Sequence, residues 1–134
     1  MIPEDLKYSE EHEWVRVDGA VATIGITDFA QDQLGDIVDM ELPEVGATVA
    51  HMKECGAIES VKTASDLFAP VSGTIVERNE SLLSRIGGKK NPEFHPEWVN
   101  QDPYGKGWLF KVELSDAGAL EQLMSASDYE KHVG

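Results

Sequence analysis

Along most of the chain apolar residues recur at every second position over short runs, the spacing of half-buried strands. Trp14-Val15-Arg16-Val17 and Val21-Ala22-Thr23-Ile24 flank Asp18-Gly19, a pattern that predicts a tight β-hairpin. Thr27-Asp28 then supplies a cap for a short helix from Phe29 to Leu34, with Gly35 as its stop. Ile37 to Leu42 reads as a strand halted by Pro43, and Glu44-Val45-Gly46 as a turn. Further short β segments follow at Thr48–Ala50, Gly56–Val61, Leu67–Ala69 and Gly73–Glu77, and Trp108–Leu114 alternates as a last strand. Ser115-Asp116 predicts the cap of a C-terminal helix running to about Met124, with Leu120 and Leu123 on one face; Ser127-Asp128-Tyr129 suits one further helical turn. Many short strands with frequent turn signals define an all-β sandwich or barrel, helices being minor additions. The segment from Leu82 to Asn100 breaks the pattern with Gly87-Gly88, Pro92 and Pro96, and reads as a surface excursion.

Composition narrows the function classes. The 134 residues are 41% apolar before the 12 glycines are counted, a share that builds a core in one domain. Net charge is −14, and residues 1–50 hold twelve acids against only Lys7 and Arg16. Such a surface disfavours nucleic acid and anionic membranes and suits basic faces on protein partners. The single Cys55 forms no internal disulfide and reads as a small buried hydrophobe. No apolar run is long enough to span a bilayer, and the N-terminus has no signal-peptide or transit character, so a cytoplasmic location is expected.

Familiar chemical signatures are missing. The four histidines, His12, His51, His95 and His132, have no metal-ligand spacing. Gly87-Gly88-Lys89-Lys90 lacks the first glycine and the hydroxyl residue of a phosphate loop, and there is no nucleophile elbow. A self-contained enzyme is therefore not expected. What remains is Lys62, between the strand-like runs Gly56–Val61 and Leu67–Ala69, at the place of a hairpin tip where an ammonium on a four-carbon stem reaches solvent. From pattern alone, this is an ordinary surface lysine.

The surrounding residues make more of it. Glu59-Ser60-Val61-Lys62, Ala64-Ser65-Asp66 and Ala69-Pro70-Val71-Ser72-Gly73 together resemble the lipoate attachment site of the glycine cleavage system H-protein family. His12-Glu13-Trp14-Val15, Ala22-Thr23-Ile24-Gly25-Ile26-Thr27 and Leu42-Pro43-Glu44-Val45-Gly46 extend the resemblance, as does Asn100 with Asp102-Pro103-Tyr104-Gly105 and Gly107-Trp108-Leu109. The likeness covers most of the chain in order. It implies a flattened β-barrel or barrel-sandwich hybrid of the lipoyl-domain kind, with a short helix after the first hairpin and another near the C-terminus. Residues 1–134 would be one lipoyl-carrier domain with 82–100 as a surface insertion.

The resemblance further implies lipoate in amide linkage on Lys62 and a shuttle rather than an enzyme. The arm would accept an aminomethyl group from a pyridoxal-phosphate glycine decarboxylase and present it to a tetrahydrofolate-dependent aminomethyltransferase. A dihydrolipoamide dehydrogenase would reoxidise it, and a lipoate ligase or a lipoyl/octanoyl transferase would attach it. Glu59 and Gly73 match the pattern read by the attaching enzyme, or are an exposed strand charge and a turn. Glu13 and Asp66 match positions lining a cleft for the arm, or are solvated carboxylates. Two departures touch that cleft: Glu11 stands where a small hydroxyl residue is expected, and Phe29 where a polar one is common. Val61 and Thr63 argue against a biotin carrier, which has methionine on both sides of its lysine, and Val61 also against the lipoyl domains of 2-oxo acid dehydrogenases. A relay of lipoyl or octanoyl groups to other proteins, or an unmodified interaction module, are the other readings of the same fold.

Overall fold

The computed structural model describes residues 2–115 and 117–134. The chain runs in order through β1 (Lys7–Tyr8), β2 (Glu13–Asp18), β3 (Val21–Ile26), α1 (Asp28–Leu34), β4 (Ile37–Glu41), β5 (Thr48–Val49), β6 (Glu54–Ser60) and β7 (Ala64–Phe68). It continues through β8 (Gly73–Arg78), β9 (Arg85–Ile86), β10 (Lys89–Lys90), α2 (Glu97–Gln101), β11 (Phe110–Leu114) and α3 (Ala126–Val133). A six-stranded sheet in the order β1-β2-β3-β11-β8-β5 and a three-stranded sheet in the order β4-β6-β7 form the body, with β9 and β10 as a separate pair. Both large sheets contribute to one apolar core, including Ile24, Ile75, Phe110 and Val112 from the first and Ile58 and Leu67 from the second. This is the barrel-sandwich that the sequence implied.

Local chemistry explains the first half of the chain. The β2–β3 hairpin pairs Asp18 with Val21, and Gly19 takes the positive φ of 64° that the turn requires. Across the same hairpin Gly25 faces Trp14, where any Cβ would fall inside the buried indole. The indole N–H donates to the Pro103 carbonyl at 2.9 Å. Trp14, Tyr8, Leu6 and Tyr129 form a second, smaller core at the outer edge of the large sheet. Helix α1 starts at Thr27, whose hydroxyl accepts from the Ala30 N–H, and stops at Gly35 with φ of 79°.

Two expectations need correction. The C-terminal α-helix lies later than the Ser115-Asp116 cap indicated: Ala117–Gln122 is a 3-10 segment, and the α-helix is α3, which includes Ser127-Asp128-Tyr129 where one further helical turn was expected. Asp116 of the expected cap lies outside the described residues. Ser125 caps α3 instead, accepting from the Asp128 N–H, and Lys131 and His132 complement the dipole in the last turn. Leu120 and Leu123 do pack against the main core from the earlier segment.

The segment 82–100 is a surface feature only in its middle. Leu82, Leu83 and Val99 are buried in the main core, and the Asn91 amide is satisfied by the carbonyls of Glu80 and Leu83. What stands out is the β9–β10 hairpin, turned by Gly87 and Gly88 and carrying exposed Arg85, Lys89 and Lys90. The apolar residues at its ends were masked in the sequence by the Pro and Gly between them. Among the described residues no helix is long and apolar enough to cross a membrane.

Candidate functional site

Strands β6 and β7 pair from Glu54–Phe68 to Glu59–Ala64, leaving Val61, Lys62 and Thr63 beyond the paired residues. The Ser60 N–H donates to the Thr63 carbonyl at 2.8 Å, and the Ser60 hydroxyl accepts from the Thr63 N–H. These bonds close a tight tip that presents Lys62 and Val61 outward, both exposed. Among the described residues the Lys62 ammonium forms no ion pair.

The tip rests on the end of α1. The Val61 N–H donates to the Asp36 carbonyl at 3.0 Å, which pins the turn to the loop after the helix. The Lys62 stem crosses Gly35, where a Cβ would come within 3.2 Å of Cε. Gly35 therefore has two reasons to be glycine: its backbone conformation and the lysine running over it. Asn100 reinforces the platform from the far segment: its amide donates to the carbonyl of Gly35 and to Gln31, and its oxygen accepts from the Ile37 N–H, each at 2.9 Å.

On its other side α1 forms a wall of a cleft of about 350 Å³, a small-molecule-sized volume. Phe29, Ala30, Gln33 and Leu34 line it at helical spacing, and Ile26 and Ile58 add apolar surface. Glu11, His12 and Glu13 form the facing wall, and Ser65 to Phe68 of the edge strand β7 close the third side. The sequence-assigned Glu13 and Asp66 thus meet in one cleft, walled by the helix on whose end the Lys62 tip rests.

The two carboxylates differ in setting. Asp66 is exposed at the edge strand, whereas Glu13 is 2% exposed. Burial pushes the Glu13 carboxyl from 4.5 up to about 8, and the neighbouring Glu11 adds to the rise. Hydrogen bonds from the Ser9 hydroxyl and the Phe68 backbone oppose the rise without cancelling it. Glu13 therefore holds a proton at neutral pH. The hydroxyl that meets it is Ser9, four residues upstream, brought back by a turn in which the Ser9 N–H donates to the Glu13 carbonyl. The sequence singled out no hydroxyl partner for Glu13; the small hydroxyl residue expected at position 11, for contact with the arm, is replaced there by Glu11. His12, not assigned to the cleft from the sequence, stands in the cleft wall with φ of 69° and its ring 4.9 Å from Phe29. A non-glycine residue held at positive φ beside a cleft is a functional signal, but only coordinates reveal it.

Glu59 and Gly73 are not together. Glu59 is exposed in β6, three residues before Lys62, and pairs with Ala64. Gly73 lies in the other sheet between Val49 and Leu114, where a Cβ would overlap the Glu113 carbonyl oxygen and come 2.6 Å from Val112 Cγ1. Close strand approach alone accounts for a glycine there. Cys55 is half-buried against the core, and burial raises its thiol to about 12, so it is unreactive.

A barrel-sandwich presenting a free lysine at a hairpin tip beside an acid-lined cleft is a domain of the lipoyl type. The chain belongs to the family described as Glycine cleavage H-protein, whose match spans residues 6–134. It is 56% identical over 133 residues to the glycine cleavage system H protein of Marinobacter nauticus, covering 98% of this chain and 95% of the relative. The H protein of Bacillus subtilis strain 168 is 53% identical over 130 residues, covering 97% and 94%. A crystal structure of the H protein from Mycobacterium marinum superposes with a TM-score of 0.84 at 40% identity, over 99% of each chain.

Proposed function

We propose that this chain is the lipoyl-bearing shuttle of a glycine cleavage system, a carrier rather than a catalyst, with lipoate in amide linkage on Lys62. The observation that carries the reading is the exposed Lys62, without an ion pair among the described residues, on a tip resting on the end of the helix that walls the cleft. The fit is chemical as well as spatial. A free amine is available for amide formation, and the cleft offers apolar walls from Ile26, Phe29 and Ile58 together with carboxylates of opposite accessibility. Held in amide linkage on Lys62, lipoate would supply a dithiolane chemistry able to accept an aminomethyl group from glycine decarboxylase, to give up its one-carbon unit at the aminomethyltransferase with ammonia released, and to be restored from the dithiol by dihydrolipoamide dehydrogenase.

The chain's own residues bind, orient and shield. Amide formation cancels the Lys62 charge, and the hydrogen bonds at Ser60, Thr63 and Asp36 keep the base of the arm still. Glu11, Glu13 and Asp66 make the cleft receptive to a cationic load rather than a neutral one. Glu13 is neutral while the cleft is empty and releases its proton when positive charge comes near, so neither state leaves an uncompensated buried carboxylate. Exposed Glu59 is what the attaching enzyme, a lipoate ligase or a lipoyl/octanoyl transferase, reads beside the tip, while Gly73 contributes from the other sheet by letting β8 approach β11 closely. The overall charge of −14 steers the chain onto basic partner surfaces.

Reconstitution tests the reading. Lipoylated chain mixed with glycine decarboxylase, aminomethyltransferase and dihydrolipoamide dehydrogenase supports glycine-dependent NADH formation and methylene-tetrahydrofolate production. The Lys62→Arg variant supports neither. Efficient loading of Lys62 without any glycine-dependent turnover would overturn the glycine cleavage assignment.

A further inference from the structure

The C-terminal helix α3 is tied to the wall of the cleft at His12 through one hydroxyl. Tyr129 is fully buried, its ring stacked on Tyr8 at 4.7 Å, and its Oη stands 2.7 Å from Thr27 Oγ1 and 2.8 Å from His12 Nδ1. Thr27 is the cap of α1 and accepts from the Ala30 N–H at 3.2 Å. The Thr27 N–H in turn donates to the His12 carbonyl at 3.0 Å. A continuous polar chain thus runs from Ala30 through Thr27 and Tyr129 to His12, joining the helical wall of the cleft to the wall that carries Glu13. His12 sits at a positive φ that its surroundings must enforce, and the Tyr129 bond holds the ring of that residue. His132, one turn further along α3, donates from Nε2 to the Glu10 carbonyl at 3.1 Å and adds a second tie to the same loop.

We propose that Tyr129 is a positioning residue of the cleft, its hydroxyl fixing the separation of the His12–Glu13 wall and the start of α1. This deepens the carrier reading and rests on it for its consequence: the arm's load is shielded only while both walls are held. A phenol suits the task because one hydroxyl both donates and accepts, so Thr27 and His12 are satisfied from one buried point. Hydrogen-bonded chains of this kind strengthen cooperatively in a dry setting, so removal of the middle member is felt at both ends.

The test uses two variants that weaken α3 differently. Tyr129→Phe keeps the ring and its stacking and removes only the hydroxyl, whereas Ser125→Ala removes the α3 cap and leaves the hydroxyl in place. The first readout is amide exchange on the unloaded chain, so it does not depend on Lys62 accepting lipoate. In Tyr129→Phe, Thr27 and Ala30 exchange roughly 3- to 10-fold faster, the loss of one hydrogen bond, and the His12 ring nitrogen signals shift. In Ser125→Ala these amides change by under about twofold relative to the global change. The second readout is the ammonia released from glycine by decarboxylase and loaded chain with aminomethyltransferase left out. It rises by a comparable factor in Tyr129→Phe only. Unchanged exchange at Thr27 and Ala30, equal effects of the two variants, or faster exchange without faster ammonia release would overturn the proposal.

Discussion

Replacing Glu13 with glutamine removes an ionisable proton from the cleft and keeps the shape of the side chain. Glu13 is 2% exposed, and burial lifts its carboxyl from 4.5 to about 8. The unfolded chain holds its proton less tightly than the folded one, so between these values the unfolded state binds fewer protons. Stability from this group is therefore lost as pH rises through the window from 4.5 to about 8, and it is level on either side. At about 1.4 kcal/mol for each pH unit, the cost of folding around Glu13 is roughly 3 kcal/mol at pH 7 and about 5 kcal/mol above pH 8. Glutamine carries no such cost. The assay is urea unfolding of both proteins at intervals from pH 4 to pH 9, followed by the fluorescence of the three tryptophans, of which Trp14 is fully buried. Differences between the two proteins cancel the other carboxylates. The variant should gain on the parent steadily through the window and then level off. A difference that stays flat with pH, or grows towards acid, would refute the assignment of a neutral buried Glu13.

Three further outcomes follow from the platform and the sheet. Gly35→Ala should cost about 1 to 3 kcal/mol in chemical unfolding, because φ of 79° with ψ of −160° is glycine territory, and it should slow modification of Lys62 by displacing the stem. Asn100→Ala should cost roughly 1 to 3 kcal/mol by orphaning the Ile37 N–H and the Gly35 carbonyl, and exchange at Val61 should quicken with it. Gly73→Ala should destabilise by about 3 kcal/mol in urea unfolding, since backbone rather than a flexible side chain meets the added carbon; undiminished stability with slowed lipoylation would make Gly73 a recognition residue alone.

Much of this was legible because it depends on local chemistry. The hairpin around Asp18-Gly19, the Thr27 cap, the Gly35 stop and the strand beginning at Ile37 are written in neighbouring residues, and the structure has them in place. Lys62 was readable as a hairpin tip from the runs on either side, though its importance came from resemblance and not from pattern. The cleft was only half legible. Glu13 and Asp66 are 53 positions apart in the chain, and nothing local says that β2 and the edge strand β7 face each other. Ser9 was not singled out, and His12 entered only as a member of a motif, because their places in the cleft come from a tight turn and a positive φ. The C-terminal helix was displaced because Ser115-Asp116 and Ser125 through Asp128 offer rival caps. The later one wins with Tyr129, whose burial beside Tyr8 and Trp14 is a tertiary gain that propensity cannot register. The 82–100 segment misled for the same reason: its anchors Leu82, Leu83 and Val99 are apolar residues without a period.

The central claim is that Lys62 carries the arm. Intact mass followed by peptide mapping, on protein made in lipoate-replete cells, addresses it directly. The account predicts a single lipoyl-sized addition located on Lys62 and absent from Lys62→Arg. An unmodified Lys62 in the presence of a competent attaching enzyme, or the addition on another lysine, would contradict it.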